Sequence, residues 1–227
     1  MKPRLGIVIP VLNEAEQIAV KLQALQALRA DCELLLVDGG SVDNSPTIAE
    51  PLIDKVVHSG CGRARQMNCG AAQTTAEVLL FLHADTRLPD GAVDRILQAI
   101  DAGYQWGRFD VGFDSHRAIF TLIALLMNWR SRLTGIATGD QAIFVTRLAF
   151  QAVGGFPNIA LMEDIALSAS LKKLGKPCCL TDKVVTSARR WLRHGIFKTI
   201  LLMWRLRLAY FFGANPDDLA ARYYRRH

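Results

Sequence analysis

Residues 78–86, Val78-Leu79-Leu80-Phe81-Leu82-His83-Ala84-Asp85-Thr86, form a short apolar run that ends in a carboxylate. An uninterrupted apolar run of this length is typical of a strand buried on both faces of a parallel sheet. Open α/β sheets bind their ligands at the carboxyl ends of such strands. A carboxylate there needs a positive partner, and a divalent metal with a phosphorylated substrate is the natural candidate. The alternative is that Asp85 caps the next turn.

Strand and helix signals alternate on both sides of this run. Strands are predicted at residues 7–11, 34–37, 55–57, 78–82, 106–113 and 141–145. Helices are predicted from residue 14 with Asn13 as N-cap, after Asp43, from 63 to 71, and at 89–100, 118–133, 163–174, 196–212 and from Pro216. This order predicts a single α/β domain with a mostly parallel central sheet, flanking helices and a helical C-terminal region. No linker or repeat divides residues 1–227.

Net positive charge is concentrated at the C-terminal end of the chain. Residues 189–227 hold nine Lys/Arg and two acids, which gives +7, whereas the other 188 residues hold eighteen and nineteen, which gives −1. Such a tail could meet anionic lipid, a phosphorylated substrate or nucleic acid, or form a solvated helical surface. Residues 196–212 are very apolar but contain Lys198, Arg205 and Arg207. We expect a core helix with snorkelling ends, with peripheral membrane contact as the alternative.

The five cysteines are odd in number and lack zinc-site spacing. Their pattern predicts a reducing, cytoplasmic setting. The N-terminus runs directly into the first predicted strand, so we expect no signal peptide there.

Acidic and polar residues follow several predicted strands. Asn13, Glu14, Asp38 and Asp85 stand at strand ends, and we expect the carboxylates of residues 38, 85 and 164 to meet at one rim. Such a rim would offer acceptors to a nucleotide and ligands to a metal.

Three further groups of residues could carry chemistry, and two of them also have a purely structural explanation. Arg63 and Arg65 open a helix after Gly60-Cys61-Gly62, where guanidinium groups and free amides suit a diphosphate. Glu163-Asp164 begins another helix, where simple capping is the alternative. Asp140, after Thr138-Gly139, could reach an acceptor or form a turn.

The ordered set of motifs resembles the family 2 glycosyltransferases, which have the GT-A type nucleotide-sugar-binding fold. The matching pieces are Pro10-Val11-Leu12-Asn13-Glu14, Val37-Asp38-Gly39-Gly40-Ser41-Val42-Asp43, Arg63-Ala64-Arg65-Gln66-Met67-Asn68, Leu82-His83-Ala84-Asp85, Gly154-Gly155-Phe156 and Glu163-Asp164. Within the family, the chain is most similar to a small branch from bacterial gene clusters that also encode radical enzymes and that are linked to arsenosugar formation.

The resemblance implies a division of the chain and roles for its residues. It implies a nucleotide-sugar-binding half (1–101), an acceptor and catalytic half (102–190) and a helical basic tail (191–227). It implies a divalent cation, Mn²⁺ or Mg²⁺, at Asp85, and Asp164 as catalytic base with Glu163 beside it. The implied nucleotide-binding residues are Pro10, Asn13, Glu14, Asp38, Gly39, Arg63, Arg65 and Ala84.

The sequence departs from the family pattern at two places. His83 stands where the Asp-X-Asp motif has its first Asp, so its metal contact is left open. Ser187-Ala188-Arg189-Arg190-Trp191 lacks the Gln of the processive synthases' Gln-X-X-Arg-Trp. Arg190 and Trp191 are therefore assigned, with Asp140, to the acceptor or diphosphate side. Trp106, Trp129 and Trp191 could also stack on a sugar, although burial is the commoner fate of Trp.

The resemblance, together with these residues, implies an inverting, metal-assisted, non-processive transferase. It would move a sugar from a UDP- or GDP-sugar to the hydroxyl of an unknown acceptor. The alternatives are a membrane-surface polyprenyl-phosphate or lipid sugar transferase, a sugar-phosphate nucleotidyltransferase, and a non-catalytic binding module. We expect a cytoplasmic protein, with peripheral contact at the inner face of the membrane and a homodimer left open, and no nucleic-acid partner.

Overall fold

The computed structural model describes residues 3–224, and these residues form one eight-stranded sheet with helices on both faces. The strands, in chain order, are β1 (Leu5–Val11), β2 (Cys32–Asp38), β3 (Lys55–His58), β4 (Val78–Phe81), β5 (Thr86–Arg87), β6 (Trp106–Phe113), β7 (Ile143–Thr146) and β8 (Cys178–Thr186). The helices are α1 (Ile18–Gln23), α2 (Ser45–Ala49), α3 (Arg63–Gln73), α4 (Ala92–Asp101), α5 (Ala118–Thr134), α6 (Arg147–Ala152), α7 (Glu163–Leu171), α8 (Arg189–His194), α9 (Ile196–Phe211) and α10 (Pro216–Tyr224).

The strand order across the sheet is β3-β2-β1-β4-β7-β6-β8-β5. The first four strands of that order are parallel to one another, β7 pairs antiparallel with β4 and β6, and β6 pairs parallel with β8. This arrangement confirms the predicted α/β fold with a mostly parallel sheet. Strands from the first 101 residues and from residues 102–190 share that sheet, so the two halves have a common framework.

Alternating side chains of the central strands supply two apolar layers. Ile7 and Ile9 of β1 pack on one face with residues of α1 and α4, and Val8 packs on the other with residues of α3 and α7. All four residues of β4 are buried, because the strand lies between β1 and β7 and is covered on both faces. The apolar run quoted above is therefore the centre of the core. Gly70 lets α3 approach this sheet, since a Cβ there would lie 2.4 Å from Cγ1 of Val8.

Several predicted element boundaries are wrong. Helix α1 begins at Ile18 with Gln17 at the N-cap position, so Asn13, which adopts a left-handed conformation (φ 55°) five residues before Ile18, does not cap it. The predicted strand at 141–145 begins at Ile143, after a 3₁₀ turn at Gly139–Gln141. The predicted helical tail consists of α8, α9 and α10, with Gly195 between α8 and α9. The last three residues of the predicted tail lie outside the described residues.

Helix α9 is not the core helix that the sequence predicts. Leu206 and Thr199 are buried, but Phe197, Trp204 and Phe211 are more than 70% exposed. The core-helix prediction is wrong because the apolar composition of residues 196–212 does not indicate which face of the helix packs on the protein. No helix within residues 3–224 is long and apolar enough to cross a bilayer.

Candidate active site

A cavity of about 130 Å³ opens beyond the carboxyl end of β4, and seven separate chain regions line it. His83 and Asp85 come from the segment after β4, Gly139 and Asp140 from the 3₁₀ turn, and Glu163 and Asp164 from the start of α7. Helices α3, α8, α9 and α10 complete the wall with Arg63, Arg190, Trp191, Met203, Arg207 and Tyr223. The predicted catalytic pair, metal ligand and acceptor-side residues therefore line one cavity.

The carboxylate of Asp164 is held by two backbone amides. Gly139 donates to Oδ2 at 2.8 Å and Ile165 donates to Oδ1 at 2.7 Å. Burial raises the pKa of Asp164 above its ordinary value, with a further contribution from the charge of Asp140, and the two amides oppose this shift. A buried carboxylate with a raised pKa is suited to accept a proton from a bound hydroxyl.

Glu163 precedes Asp164 in the chain and is buried, with 5% of its surface exposed. Burial raises its pKa, the charge of Asp164 raises it further, and Arg63 opposes the shift. The preceding Met162 is left-handed (φ 71°) and buried, which turns the chain sharply into α7. A non-glycine residue held in this region is strained, and such strain is found where the surrounding structure fixes a functional geometry.

His83 and Asp140 form a contact across the cavity. Nδ1 of His83 lies 3.4 Å from Oδ1 of Asp140, and the His83 side chain is 13% exposed. Burial by itself would raise the pKa of Asp140, but the hydrogen bond and charge of His83, together with Arg63 and Arg190, lower it. A Cβ on Gly139 would lie 2.3 Å from the His83 ring, so this glycine makes the position of the ring possible.

Asp85 lines the same cavity, and its Oδ1 accepts a 3.4 Å hydrogen bond from the hydroxyl of Thr86. Within residues 3–224, no three His, Cys, Asp or Glu side chains gather as a metal-binding group. Mg²⁺ usually keeps several waters and binds one or two carboxylates plus substrate phosphates. The single carboxylate of Asp85 fits a cation that takes its other ligands from water and a diphosphate.

Two cationic side chains near the cavity were not predicted as functional residues from the sequence. Arg207 of α9 lines the cavity, and its Nε is buried without a hydrogen-bond partner. Nε and Nη2 of Arg130 on α5 are buried and unpartnered as well, and burial lowers the pKa of Arg130 while Asp164 opposes that shift. No sequence motif marks either residue, since their positions depend on how α5 and α9 pack. Arg190, by contrast, was selected, and it lies over the ring of Tyr223 at 4.3 Å from the centroid.

A second group of predicted residues lies around the ends of β1 and β2, outside the cavity lining. Asp38 is 3% exposed, and its carboxylate accepts hydrogen bonds from the amides of Gly40 and Ser41. Burial by itself would raise the pKa of Asp38, but these hydrogen bonds and one from His58 lower it. Asp38 is thus held within its own turn and is not part of the cavity lining, and its place on a common rim with Asp85 and Asp164 stays a prediction.

Asn13 and Glu14 connect β1 to the loop after β2. The side-chain oxygen of Asn13 accepts from the amide of Val42 at 2.9 Å, and the amide of Glu14 donates to the Ser45 hydroxyl at 2.8 Å. Burial raises the pKa of Glu14, while Arg189, with an Nη2 that lies 3.9 Å from its carboxylate, lowers it. The charge of Asp85 also raises the pKa of Glu14, so these two carboxylates are close enough to interact.

The remaining predicted nucleotide residues have clear structural positions. Pro10 is the penultimate residue of β1 and pairs with Val37 of β2, and the amide of Gly39 donates to the carbonyl of Val11 at 2.9 Å. Ala84 packs against the core, and Nε of Arg65 donates to the side chain of Asn158 at 3.0 Å. Trp106 is fully buried, Trp129 is 61% exposed, and Trp191 packs edge-on against Phe113. Of the three, Trp191 is the one that lines the cavity.

Comparison with known proteins supports one family. Residues 6–149 match the family described as Glycosyl transferase family 2. Among curated relatives, the undecaprenyl-phosphate 4-deoxy-4-formamido-L-arabinose transferase of Pseudomonas fluorescens is 28% identical over 148 residues, which are 60% of this chain and 44% of that protein. The same-named Yersinia enterocolitica protein is 28% identical over 113 residues, 44% of this chain and 35% of that protein. The chain thus spans less than half the length of these relatives.

Solved structures agree in fold. The Pyrobaculum calidifontis mannosyltransferase PcManGT, in complex with GDP-Man and Mn²⁺, has a TM-score of 0.66 at 21% identity and covers 92% of this chain and 61% of that one. The Mycobacterium tuberculosis glucosyl-3-phosphoglycerate synthase, in complex with Mn²⁺, UDP and glucosyl-3-phosphoglycerate, has a TM-score of 0.60 at 17% identity and covers 81% and 71%. These likenesses confirm the predicted GT-A type fold. The sheet and the match over residues 6–149 show that this chain belongs to glycosyl transferase family 2.

Proposed function

We propose that this chain is an inverting, non-processive glycosyltransferase that moves a sugar from a nucleoside-diphosphate sugar to an acceptor hydroxyl. The observation that carries the proposal is the cavity in which Asp164, Asp85 and Arg190 meet. It combines a base with a raised pKa, an oxygen ligand for a cation and a positive charge for a leaving group. Family membership favours this reaction over nucleotidyl transfer and over a non-catalytic binding module.

The reaction would be one in-line displacement. The acceptor oxygen forms the new bond to the anomeric carbon as Asp164 takes the hydroxyl proton, and the bond to the diphosphate oxygen breaks with its electron pair. Arg63 and Arg190 stabilise the negative charge that develops on the diphosphate. Asp85 would hold a Mn²⁺ or Mg²⁺ ion, which would supply further charge stabilisation at the diphosphate.

The two groups of predicted residues suggest where the donor binds. The cavity of about 130 Å³ is smaller than the 300–1,000 Å³ typical of sites for ligands of drug size. We therefore assign the cavity to the reacting groups of donor and acceptor. We assign the nucleoside to the region at the carboxyl ends of β1 and β2, beside Pro10, Asn13, Glu14 and Gly39. The solved structures contain GDP-mannose in one case and UDP in another, so a UDP- or GDP-sugar is the proposed donor class.

A polyprenyl phosphate is the second candidate acceptor, because the curated relatives are named as undecaprenyl-phosphate transferases. The unpartnered nitrogens of Arg130 and Arg207 fit an acceptor that carries an anionic group. With such an acceptor the attacking atom is a phosphate oxygen, so no hydroxyl proton needs to be removed, and Asp164 would position the acceptor instead.

A thermal-shift panel tests the donor class directly. Purified chain is heated with each nucleoside diphosphate and its sugars, with and without Mn²⁺. A ligand at one hundred times its Kd raises the midpoint of a domain of this size by roughly 5–10 °C. We expect such a rise for one nucleotide, larger with Mn²⁺. No rise with any nucleotide, in the presence of Mn²⁺ or Mg²⁺, would contradict the proposal.

A further inference from the structure

Helix α9 exposes a continuous apolar stripe. Phe197, Leu201, Trp204, Leu208 and Phe211 recur at intervals of three and four residues, and each is 60–81% exposed. Residues with this spacing share one side of a helix. The opposite side of α9 packs on α10 and contributes to the candidate active site. One helix thus separates the reaction cavity from an unpartnered apolar surface.

Helix α5 exposes a second stripe with the same periodicity. Leu122, Leu125, Leu126, Trp129 and Leu133 are 49–66% exposed. Among the described residues, eighteen large apolar side chains are exposed, and ten of them belong to the two stripes. Scattered apolar residues need no explanation, whereas concentrated patches mark interaction sites.

The two helices are fixed next to each other in the fold. Ile123 of α5 and Ile196 and Ile200 of α9 belong to one apolar cluster, so the stripes flank a shared seam. The side-chain amide of Asn128 anchors α5 to β6 by exchanging hydrogen bonds of 2.8 and 3.0 Å with the backbone of Val111. The two stripes together are named here the α5/α9 face.

The positive charge of the α5/α9 face favours an anionic partner. The sequences of α5 and α9 contain no Asp or Glu. Of their five Lys/Arg, Arg130 has buried nitrogens and Arg207 lines the cavity, so these two add no charge to the face. Lys198 and Arg205 are exposed beside the apolar stripe of α9. A groove of about 830 Å³ between α9 and α10 is lined by these two cations together with His194 and Arg222. Two copies of this face would bring like charges together, whereas an anionic surface would complement them.

We infer that the α5/α9 face docks on an anionic lipid bilayer. Interfacial helices combine a wide apolar face rich in Trp, Phe and Leu with Lys and Arg on their polar side, and α9 has this composition. Docked in this way, the cavity that α9 also lines lies about one helix diameter, roughly 10 Å, from the headgroups. The inference concerns the surface alone and does not depend on the proposed transfer reaction.

Vesicle sedimentation tests the inference. The purified chain is mixed with phosphatidylcholine vesicles that contain or lack phosphatidylglycerol. We expect binding to the anionic vesicles that weakens as salt is raised, and little binding to neutral ones. The double substitution Leu201→Glu/Trp204→Glu should weaken binding about ten-fold or more, because it places charge in the apolar stripe. Lys198→Gln and Arg205→Gln should each weaken it roughly five-fold.

Leu148→Glu is the matched control, because Leu148 is 80% exposed on α6 and outside the α5/α9 face. It should bind vesicles like the unaltered chain. All variants should keep the unfolding midpoint and any nucleotide-induced shift, which separates docking from donor binding. The inference is overturned by absence of binding to anionic vesicles, by equal binding of the Leu201→Glu/Trp204→Glu variant, or by a dimer that this variant dissociates without any vesicle binding.

Discussion

The backbone amide of Gly139 donates a hydrogen bond to Oδ2 of Asp164 at 2.8 Å, and the same glycine leaves room for the ring of His83. One residue of the 3₁₀ turn therefore positions both the proposed base and its histidine neighbour. The absence of a side chain at Gly139 is required here, because a Cβ would lie 2.3 Å from the ring.

Gly139→Ala should lower kcat/KM by about 10²-fold, since displacements of about 1 Å in an active site have effects of that size. The new methyl group must displace the His83 ring or the turn that holds Asp164. In a His83→Ala background the ring is gone, so adding Gly139→Ala should change kcat/KM little. Steady-state kinetics of the two single variants and the double variant measure this coupling. Additive effects of the two substitutions would show that the contact has no role.

Asp164→Asn should lower kcat of transfer to a hydroxyl acceptor by roughly 10²–10⁴-fold, because the amide cannot take the acceptor proton. Binding of the donor should be nearly unchanged, since Asp164 is assigned to the acceptor oxygen. Initial rates report the first effect and nucleotide-induced thermal shifts report the second. Asp31→Asn, at an exposed position, is the control. Retention of most of the activity in Asp164→Asn would remove this residue from the role of base.

Asp85→Ala should abolish the extra thermal shift that Mn²⁺ adds to nucleotide binding and leave the metal-independent shift in place. The reason is that Asp85 supplies the protein oxygen for a cation whose other ligands are phosphate and water. Asp90→Ala removes one carboxylate from an exposed turn nearby and should behave like the unaltered chain. A Mn²⁺ effect of full size in Asp85→Ala would place the cation elsewhere.

Asp38 should contribute to stability in a pH-dependent way. Its pKa in the folded chain is lowered below the ordinary 3.8, so the stabilisation is present above that value and is lost as pH falls through the folded pKa. Asp38→Asn should lower the free energy of unfolding by about 1–3 kcal/mol at pH 7. Urea unfolding at a series of pH values should show this difference shrinking in acid. A difference that stays constant with pH would mean that the carboxylate charge is not the cause.

The amino-acid sequence determined the α/β architecture, because strand and helix formation follow from local apolar periodicity and turn residues. Residues 78–81 form a central buried strand, as predicted. Arg63, which follows Gly60-Cys61-Gly62, is the first residue of α3, as predicted. The same motifs selected Asp85, Glu163 and Asp164, which all line one cavity. Each of these residues stands next to a local signal, either a strand end or a helix start.

Tertiary structure alone decided which other residues join them. Arg207 and Tyr223 line the cavity from helices far along the chain, and Arg130 interacts electrostatically with Asp164. Asp38 uses its carboxylate within its own turn. It also decided that α9 exposes its apolar stripe, although the sequence predicts a core helix. Periodicity specifies that a helix has an apolar face, but the packing of distant segments determines whether protein or solvent meets that face.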